Sequence, residues 1–130
     1  MQLTNILRDV AEDIERDRRY LPIEDLSRFG ISEQDLKSGK EILNHPGWKP
    51  FVKEYINRAD KYRERGMKLF PLLDKSSRYS PAAMTTFYHS IMKKIEKNDG
   101  DELSERTQLS KTEKSGLAAY IYVRFRFFAL

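Results

Sequence analysis

Residues 2–22 read QLTNILRDVAEDIERDRRYLP, with five acids and four arginines beside a regular apolar stripe. The apolar side chains recur three and four residues apart, as on one face of a helix. They are Leu3, Ile6, Leu7, Val10 and Ile14. The spacing predicts a helix over residues 2–17. Tyr20-Leu21-Pro22 ends it, because the residue before a proline is pushed out of the helical region.

Helical periodicity continues along the chain and predicts an all-α fold. Short helices are expected after Pro22 and after Ser32, where Asp35 has the spacing of a capping box. Longer stripes predict one helix from Pro50 to about Pro71. Another is expected to begin at Ser80-Pro81, read as N-cap and first helical residue, and to end at the NDGD turn of residues 98–101.

The last segment has two interpretations. Ser110 and Glu113 form a potential capping box, which favours a helical tail over residues 116–130. The alternation in residues 123–127, VRFRF, is also typical of a strand. Packing against the body is the simpler role for this segment, and contact with a membrane surface through its basic and aromatic residues is the alternative.

Composition limits the classes of function. The chain of 130 residues predicts a single domain, and its net charge of +4 comes from 24 basic residues spread among 20 acids. No nucleic-acid partner is expected, because no concentrated basic stripe is present. The absence of cysteine excludes thiolate metal sites. The longest apolar run, residues 117–123, is about a third of a membrane span, so a cytoplasmic protein is expected.

The polar residues of the first helix form a face of their own. At about 100° per residue, those at positions 2, 5, 9, 13 and 16 fall within a sector of roughly 80°. Asp9 and Asp13 lie one turn apart, and such a pair can hold Mg²⁺ together with water and substrate phosphate. Arg8 and Arg18 are candidate phosphate donors, and Glu12 is close enough to take part. On spacing alone, a solvated and salt-bridged helix explains the same residues.

The ordered string QLTNILRDVAED, followed by Arg18 and YLP, resembles the second aspartate-rich motif of the squalene and phytoene synthase family. Residues 22–36, PIEDLSRFGISEQDL, look like the stretch that follows this motif in the family. Residues 87–114, FYHSIMKKIEKNDGDELSERTQLSKTEK, are similar to the family's C-terminal signature. The resemblance covers most of residues 2–115.

The resemblance implies an isoprenoid-synthase-like helical bundle that condenses two prenyl diphosphates head to head. Phytoene would form from two C20 diphosphates, or squalene or dehydrosqualene from two C15 diphosphates, through a cyclopropylcarbinyl diphosphate. Mg²⁺ is the implied cofactor, with Mn²⁺ as its substitute, and NADPH is required only if squalene is the product. C30 and C40 products both remain open.

Site residues follow from the resemblance position by position. Asp9 and Asp13 match the metal-binding aspartates, and Glu12 matches the acid inside the motif. The residues matching substrate or diphosphate contacts are Gln2, Asn5, Arg8, Arg18, Tyr20, Tyr88 and Arg106. Of these, Arg8 and Tyr20 are also expected to take part in catalysis. His45 and His89 have no partners at metal-ligand spacing and receive no role.

Three departures from the family pattern qualify the expectation. Alanine stands at position 11, where the family usually has glycine, and the turn after Asn98 reads DGDEL instead of an aromatic-Asp-hydrophobic run. The first aspartate-rich motif is missing, so residues 1–130 are expected to be a partial domain, the C-terminal part of the fold. We expect this chain to be inactive alone, and to self-associate or pair with an N-terminal half. The competing hypothesis is a non-catalytic helical module that binds a partner.

Overall fold

The computed structural model describes the backbone of residues 1–127 and the side chains of residues 1–124. Every regular element in this part of the chain is helical, which confirms the all-α prediction. The α-helices are α1 (Gln2–Arg8), α2 (Val10–Glu15), α3 (Ile23–Ser27), α4 (Glu33–Lys37), α5 (Trp48–Met67), α6 (Tyr79–Lys97) and α7 (Lys111–Phe127). Shorter 3₁₀ segments span Gly39–Asn44, Phe70–Leu72 and Lys75–Ser77.

The first helix is divided, where the sequence predicted one continuous element. Asp9 separates α1 from α2 with φ −98° and ψ 12°. Hydrogen bonds of helical spacing nevertheless cross the junction: the Asp9 amide donates to Asn5 O at 2.8 Å, and the Asp13 amide donates to Asp9 O at 2.9 Å. Residues one turn apart therefore keep the same orientation. The helix ends at Glu15, before the predicted residue 17, and Asp17 takes a left-handed φ of 52°.

Two capping boxes form as the sequence predicts. In α4, the Asp35 amide donates to Ser32 Oγ at 3.1 Å, while the Ser32 amide donates to Asp35 Oδ2 at 2.8 Å. In α7, the Ser110 amide donates to Glu113 Oε2 at 2.7 Å, and the Glu113 amide donates to Ser110 Oγ at 3.2 Å. The helix of α7 continues to residue 127, so the strand interpretation is wrong. Residues 128–130 of the predicted tail lie outside the described residues.

The start of α6 differs from the prediction. The helix begins at Tyr79, and Ser80 lies in its first turn instead of serving as N-cap. Arg78 stands at the N-cap position, and its guanidinium donates to the carbonyl oxygens of Leu73 and Pro71, each at 2.9 Å. These bonds tie the helix start to the preceding turn, a role that the Ser-Pro pattern did not reveal.

The core forms around α5, which packs against α1 and α6, while α6 also packs against α7. Trp48, Phe51 and Tyr55 are buried in succession, with neighbouring ring centroids 5.7 Å apart. Apolar side chains from α1 to α4 and from α6 complete the core: Leu7, Val10, Leu26, Ile31, Leu36, Met92 and Ile95. Within residues 1–127, every helix is too short or too polar to cross a lipid bilayer.

Candidate functional site

Asp9 is the centre of an ion-pair cluster that joins the first helical segment to the turn after α6. Its Oδ1 accepts hydrogen bonds from Arg8 Nε at 2.8 Å and from Arg106 Nε at 2.9 Å. A second nitrogen of Arg106, Nη2, lies 2.8 Å from the same oxygen, and Arg8 Nη2 donates to Oδ2 at 3.0 Å. Partial burial opposes ionisation of Asp9, but these hydrogen bonds outweigh it and hold the pKa of Asp9 below its usual value.

The turn after α6 brings Arg106 to Asp9. Gly100 has a φ of 76°, and a Cβ at this position would lie 2.6 Å from Val52 Cγ2, so the close approach requires glycine. The indole Nε1 of Trp48 donates to Gly100 O at 3.3 Å and anchors the turn to α5. From this anchor, the chain runs back over α1 and α2, which places Arg106 beside a residue 97 positions earlier in the sequence.

Asp13 differs sharply from Asp9 in its surroundings. The structure gives its carboxylate no hydrogen bond or ion pair among the described side chains. Partial burial, together with repulsion from Asp9 and Glu12, raises the pKa of Asp13, and attraction to Arg18 and Arg16 does not compensate. One turn of helix therefore carries a carboxylate held by two arginines, followed by a carboxylate without an ion pair among the described side chains.

Other predicted residues lie on two sides of this pair. Gln2 and Tyr88 line one cavity of about 520 Å³ between α1, α5 and α6. Asn5 belongs to α1 and lies between Gln2 and Asp9 in the sequence. Its Oδ1 is buried without a hydrogen-bond partner among the described residues. A buried acceptor without a donor is costly, and it indicates a position that a bound water or ligand satisfies.

Arg18 and Tyr20 lie beyond Asp13. Both line, with Asp13, a cavity of about 10 Å³, which has room for little more than one water molecule. The Arg18 amide donates to Asp13 O at 2.8 Å, and the Tyr20 side chain is 53% exposed. Glu12 is paired with Arg16, whose Nη2 lies 2.7 Å from Glu12 Oε1. These residues are near Asp13 in the structure, but they form no direct contact with the cluster around Asp9.

The carboxylates do not form a three-ligand metal site by themselves. In the described part of the chain, no group of three or more His, Cys, Asp or Glu side chains has an arrangement that could hold a metal ion. Mg²⁺ usually takes only one or two protein carboxylates and completes its octahedron with water and phosphate oxygens. Asp9 and Asp13 therefore remain the relevant pair.

Two features of the site were not predicted. Glu102 is a buried acid, 1% exposed, and both of its carboxylate oxygens accept hydrogen bonds from Thr107. His89, which received no role, lines the 520 Å³ cavity, and its Nδ1 lies 3.1 Å from Asp60 Oδ1. The unusual DGDEL turn was a sequence signal for the buried Glu102. His89 and Asp60 are separated by 29 residues, and no sequence spacing indicates their contact.

The chain is similar to proteins of one known family. The family model described as Squalene/phytoene synthase matches residues 1–113. The chain is 40% identical over 113 residues to 15-cis-phytoene synthase of Synechocystis, covering 87% of this chain and 33% of that protein. It is 37% identical over 123 residues to phytoene synthase 2, chloroplastic, of Solanum lycopersicum, covering 95% of this chain and 39% of that protein.

Phytoene synthase 1, chloroplastic, of Arabidopsis thaliana is 34% identical over 123 residues, covering 95% of this chain and 28% of that protein. The chain thus spans well under half the length of each of these relatives. The matched residues include both segments that meet at Asp9, the aspartate-rich helix and the turn with Arg106. The chain belongs to the squalene/phytoene synthase family.

Proposed function

We propose that residues 1–130 provide one wall of a site that condenses two prenyl diphosphates head to head. In this reaction a diphosphate leaves the first molecule, and the double bond of the second captures the allylic cation. The resulting cation loses a proton to the released diphosphate or to solvent as the ring of a cyclopropylcarbinyl diphosphate closes. The observation that carries the proposal is the cluster of Arg8, Asp9 and Arg106, because it joins two guanidinium groups to the first aspartate of the pair. Converging arginines and a carboxylate pair are the groups that a metal-bound diphosphate requires.

The donor set fits Mg²⁺. Asp9 and Asp13 offer hard carboxylate oxygens one turn apart, and the Asp13 carboxylate forms no ion pair among the described side chains. The buried Asn5 Oδ1 is available to accept a hydrogen bond from a metal-bound water. In this proposal Asp9 and Asp13 would hold the ion, and Glu12, which pairs with Arg16, would be a further candidate ligand. The bound ion would neutralise charge on the leaving diphosphate, and Mn²⁺ is its natural substitute.

The arginines are the proposed hydrogen-bond donors to the diphosphate. Arg8 and Arg106 donate to Asp9 in the structure, and an incoming diphosphate competes for the same N–H groups. Forked, permanently charged guanidinium groups suit phosphate oxygens, and charge that develops on the leaving group strengthens their hydrogen bonds. Arg18 is the third candidate donor, on the Asp13 side of the pair.

The cavity lined by Gln2 and Tyr88 is the proposed entry for the prenyl chain. Its apolar lining includes Met92 and Ala59, and such side chains would help to keep water from a carbocation once the site is enclosed. Tyr88 lines the same cavity, and Tyr20 is expected to cover the opposite end of the metal pair. Since the relatives in the comparison are phytoene synthases, we favour C20 diphosphates, a C40 product and no NADPH.

We propose a cytoplasmic protein that contacts a membrane surface through the end of α7. Tyr120, Tyr122 and Val123 are between 46% and 61% exposed there, and the guanidinium of Arg124 lies 5.8 Å from the Tyr120 ring centroid. Such a basic and aromatic end suits the interface of a bilayer.

Binding of inorganic pyrophosphate tests the proposal directly. Isothermal titration calorimetry of the chain is expected to show binding that tightens at least about tenfold when Mg²⁺ is added. Asp13→Asn is expected to abolish this gain. Asp9→Asn is also expected to abolish the gain, while its released arginines retain weak binding without metal.

The matched control is Asp17→Asn. Asp17 belongs to the same segment and is 88% exposed, and its left-handed φ of 52° suits asparagine well. The control should keep the full Mg²⁺ effect. Wild-type binding without any Mg²⁺ dependence, or equal loss in all three variants, would contradict the proposal.

A turnover assay tests whether residues 1–130 catalyse the condensation by themselves. The only aspartate pairs at four-residue spacing in these 130 residues are Asp9 with Asp13 and Asp13 with Asp17, on the same segment. We therefore expect no hydrocarbon product from residues 1–130 with Mg²⁺ and C15 or C20 diphosphate. Product formation in that assay would show that the opposite aspartate pair is dispensable.

A further inference from the structure

Glu102 is a buried acid next to the cluster around Asp9. It lines a cavity of about 200 Å³ together with Arg8, Asp9, Glu12 and Arg106. Its Oε2 accepts from the Thr107 amide at 2.8 Å, and its Oε1 accepts from the Thr107 hydroxyl. Burial raises the pKa of Glu102, whereas the two hydrogen bonds from Thr107 favour the charged form. A buried carboxylate is costly, so its retention beside the site requires a reason.

The simpler explanation for the buried Glu102 carboxylate is that it closes a short turn. The bonds between Glu102 and Thr107 span five residues and satisfy both partners. Arg106, however, lies inside the closed segment and directly precedes the clamped residue. Its side chain is 46% exposed, and it reaches Asp9 with a long and flexible stem. Such a side chain loses conformational freedom when it is held in one geometry, and a fixed backbone reduces that cost.

We propose that Glu102 is a positioning residue, which clamps Thr107 and thereby holds Arg106 in the geometry that binds diphosphate at Asp9. The role rests on the proposed function, since Arg106 acts only if the site binds diphosphate. It requires no contact between Glu102 and the ligand. The departure of this turn from the family pattern then has a function, because the unusual acid supplies the clamp.

Two substitutions of Glu102 separate geometry from charge. Glu102→Leu removes the charge and both hydrogen bonds. Glu102→Gln removes the same charge, but its amide can still accept from the Thr107 amide and donate to the Thr107 hydroxyl. We expect Glu102→Leu to weaken Mg²⁺-pyrophosphate binding about tenfold, the effect of one lost charge-assisted hydrogen bond. Glu102→Gln is expected to stay within about threefold of wild type.

A double-mutant cycle tests whether the effect passes through Arg106. In an Arg106→Ala background, Glu102→Leu should cause no further weakening, because the group it positions is absent. An equal loss in both backgrounds would overturn the proposal, since Glu102 would then act through general stability.

Thr107→Val removes the hydroxyl donor only, and it serves as the second probe if Glu102→Leu does not fold. Glu105→Leu, the same change at an exposed residue of the same turn, is the matched control.

A ligand-free measurement separates this proposal from the proposed function. Hydrogen exchange of the Arg106 Nε–H group, followed by NMR, should be slow in wild type because that group donates to Asp9 Oδ1. It should accelerate in Glu102→Leu and in Thr107→Val but not in Glu105→Leu. Acceleration without any pyrophosphate binding would reject the proposed function and keep the clamp. Unchanged exchange in both variants would reject the clamp.

Discussion

At the residue scale, the two central aspartates are chemically unequal although they lie one turn apart. Asp9 has its pKa lowered by hydrogen bonds from two arginines, which outweigh its burial. Asp13 has its pKa raised by burial and by the negative charges of Asp9 and Glu12. The spacing of the sequence predicted the pair but not this inequality, because the difference depends on burial and on a hydrogen bond from Arg106, 97 residues further along the sequence.

Asp13→Asn is predicted to stabilise the metal-free protein. A carboxylate with a raised pKa destabilises the folded state once it is ionised, so the penalty is absent below the usual value of 3.8 and complete above the raised value. We expect a gain of about 0.3 kcal/mol at pH 7, the cost of one like-charge pair on a helix, and no gain at pH 3. Thermal unfolding followed by circular dichroism at both pH values measures the difference.

Binding of Mg²⁺ and pyrophosphate should reverse the order of stability of the wild type and Asp13→Asn. Mg²⁺ with pyrophosphate should raise the Tm of the wild type and leave that of Asp13→Asn unchanged, since a ligand stabilises only the state that binds it. Asp17→Asn should follow the wild type in both conditions. A destabilised Asp13→Asn protein without metal would show that Asp13 has a structural role instead.

At the element scale, local signals predicted most helices, whereas tertiary contacts set several of their ends. Both capping boxes are visible in the sequence because their partners lie three residues apart. The start of α6 was predicted wrongly, since Arg78 bonds to carbonyls five and seven residues earlier and no cap pattern encodes this. The division of the first helix at Asp9 was also missed, because the periodicity of its apolar stripe continues across the junction.

The start of α7 offers a pH prediction. Glu113 accepts hydrogen bonds from the Ser110 amide at 2.7 Å and from Lys94 Nζ at 3.0 Å, which joins α7 to α6. These bonds lower the pKa of Glu113 to about 2. A lowered pKa contributes stability above the usual value of 4.5, and that contribution is lost as the pH falls towards 2.

Glu113→Gln should therefore lower the Tm by a few degrees at pH 7 and by almost nothing at pH 2. The Tm difference between wild type and variant, measured across this range, isolates the one carboxylate. Glu41→Gln, at an exposed glutamate remote from α7, is the control and should give a small difference at both ends. A difference that persists unchanged at pH 2 would rule out the carboxylate as the stabilising group.

At the scale of the whole molecule, the end of α5 and the segment after it leave large apolar side chains exposed. Tyr62, Leu69 and Leu72 are between 58% and 81% exposed, and Met67 is 40% exposed. Clustered exposed apolar residues favour association. We expect a second copy of the chain to cover this surface, so that light scattering after size-exclusion chromatography gives a mass above that of a monomer.

The double substitution Leu69→Glu and Leu72→Glu should shift the protein to the monomer without unfolding it, since both side chains already face solvent. Tyr120→Glu with Tyr122→Glu, which places the same charges on the exposed face of α7, is the control and should not change the mass. A compact wild-type monomer would contradict the prediction.

Local patterns along the chain predict the helical class, the capping boxes and the polar face with Asp9 and Asp13, because these depend on neighbours within one or two turns. Its ordered motifs also indicated the family, which the comparisons confirmed. Tertiary packing brings Arg106 to Asp9, leaves Asp13 without an ion pair among the described side chains and buries Glu102 against Thr107. Contacts across 97 residues and exclusion from solvent arise when helices pack together, and no local spacing in the chain encodes them.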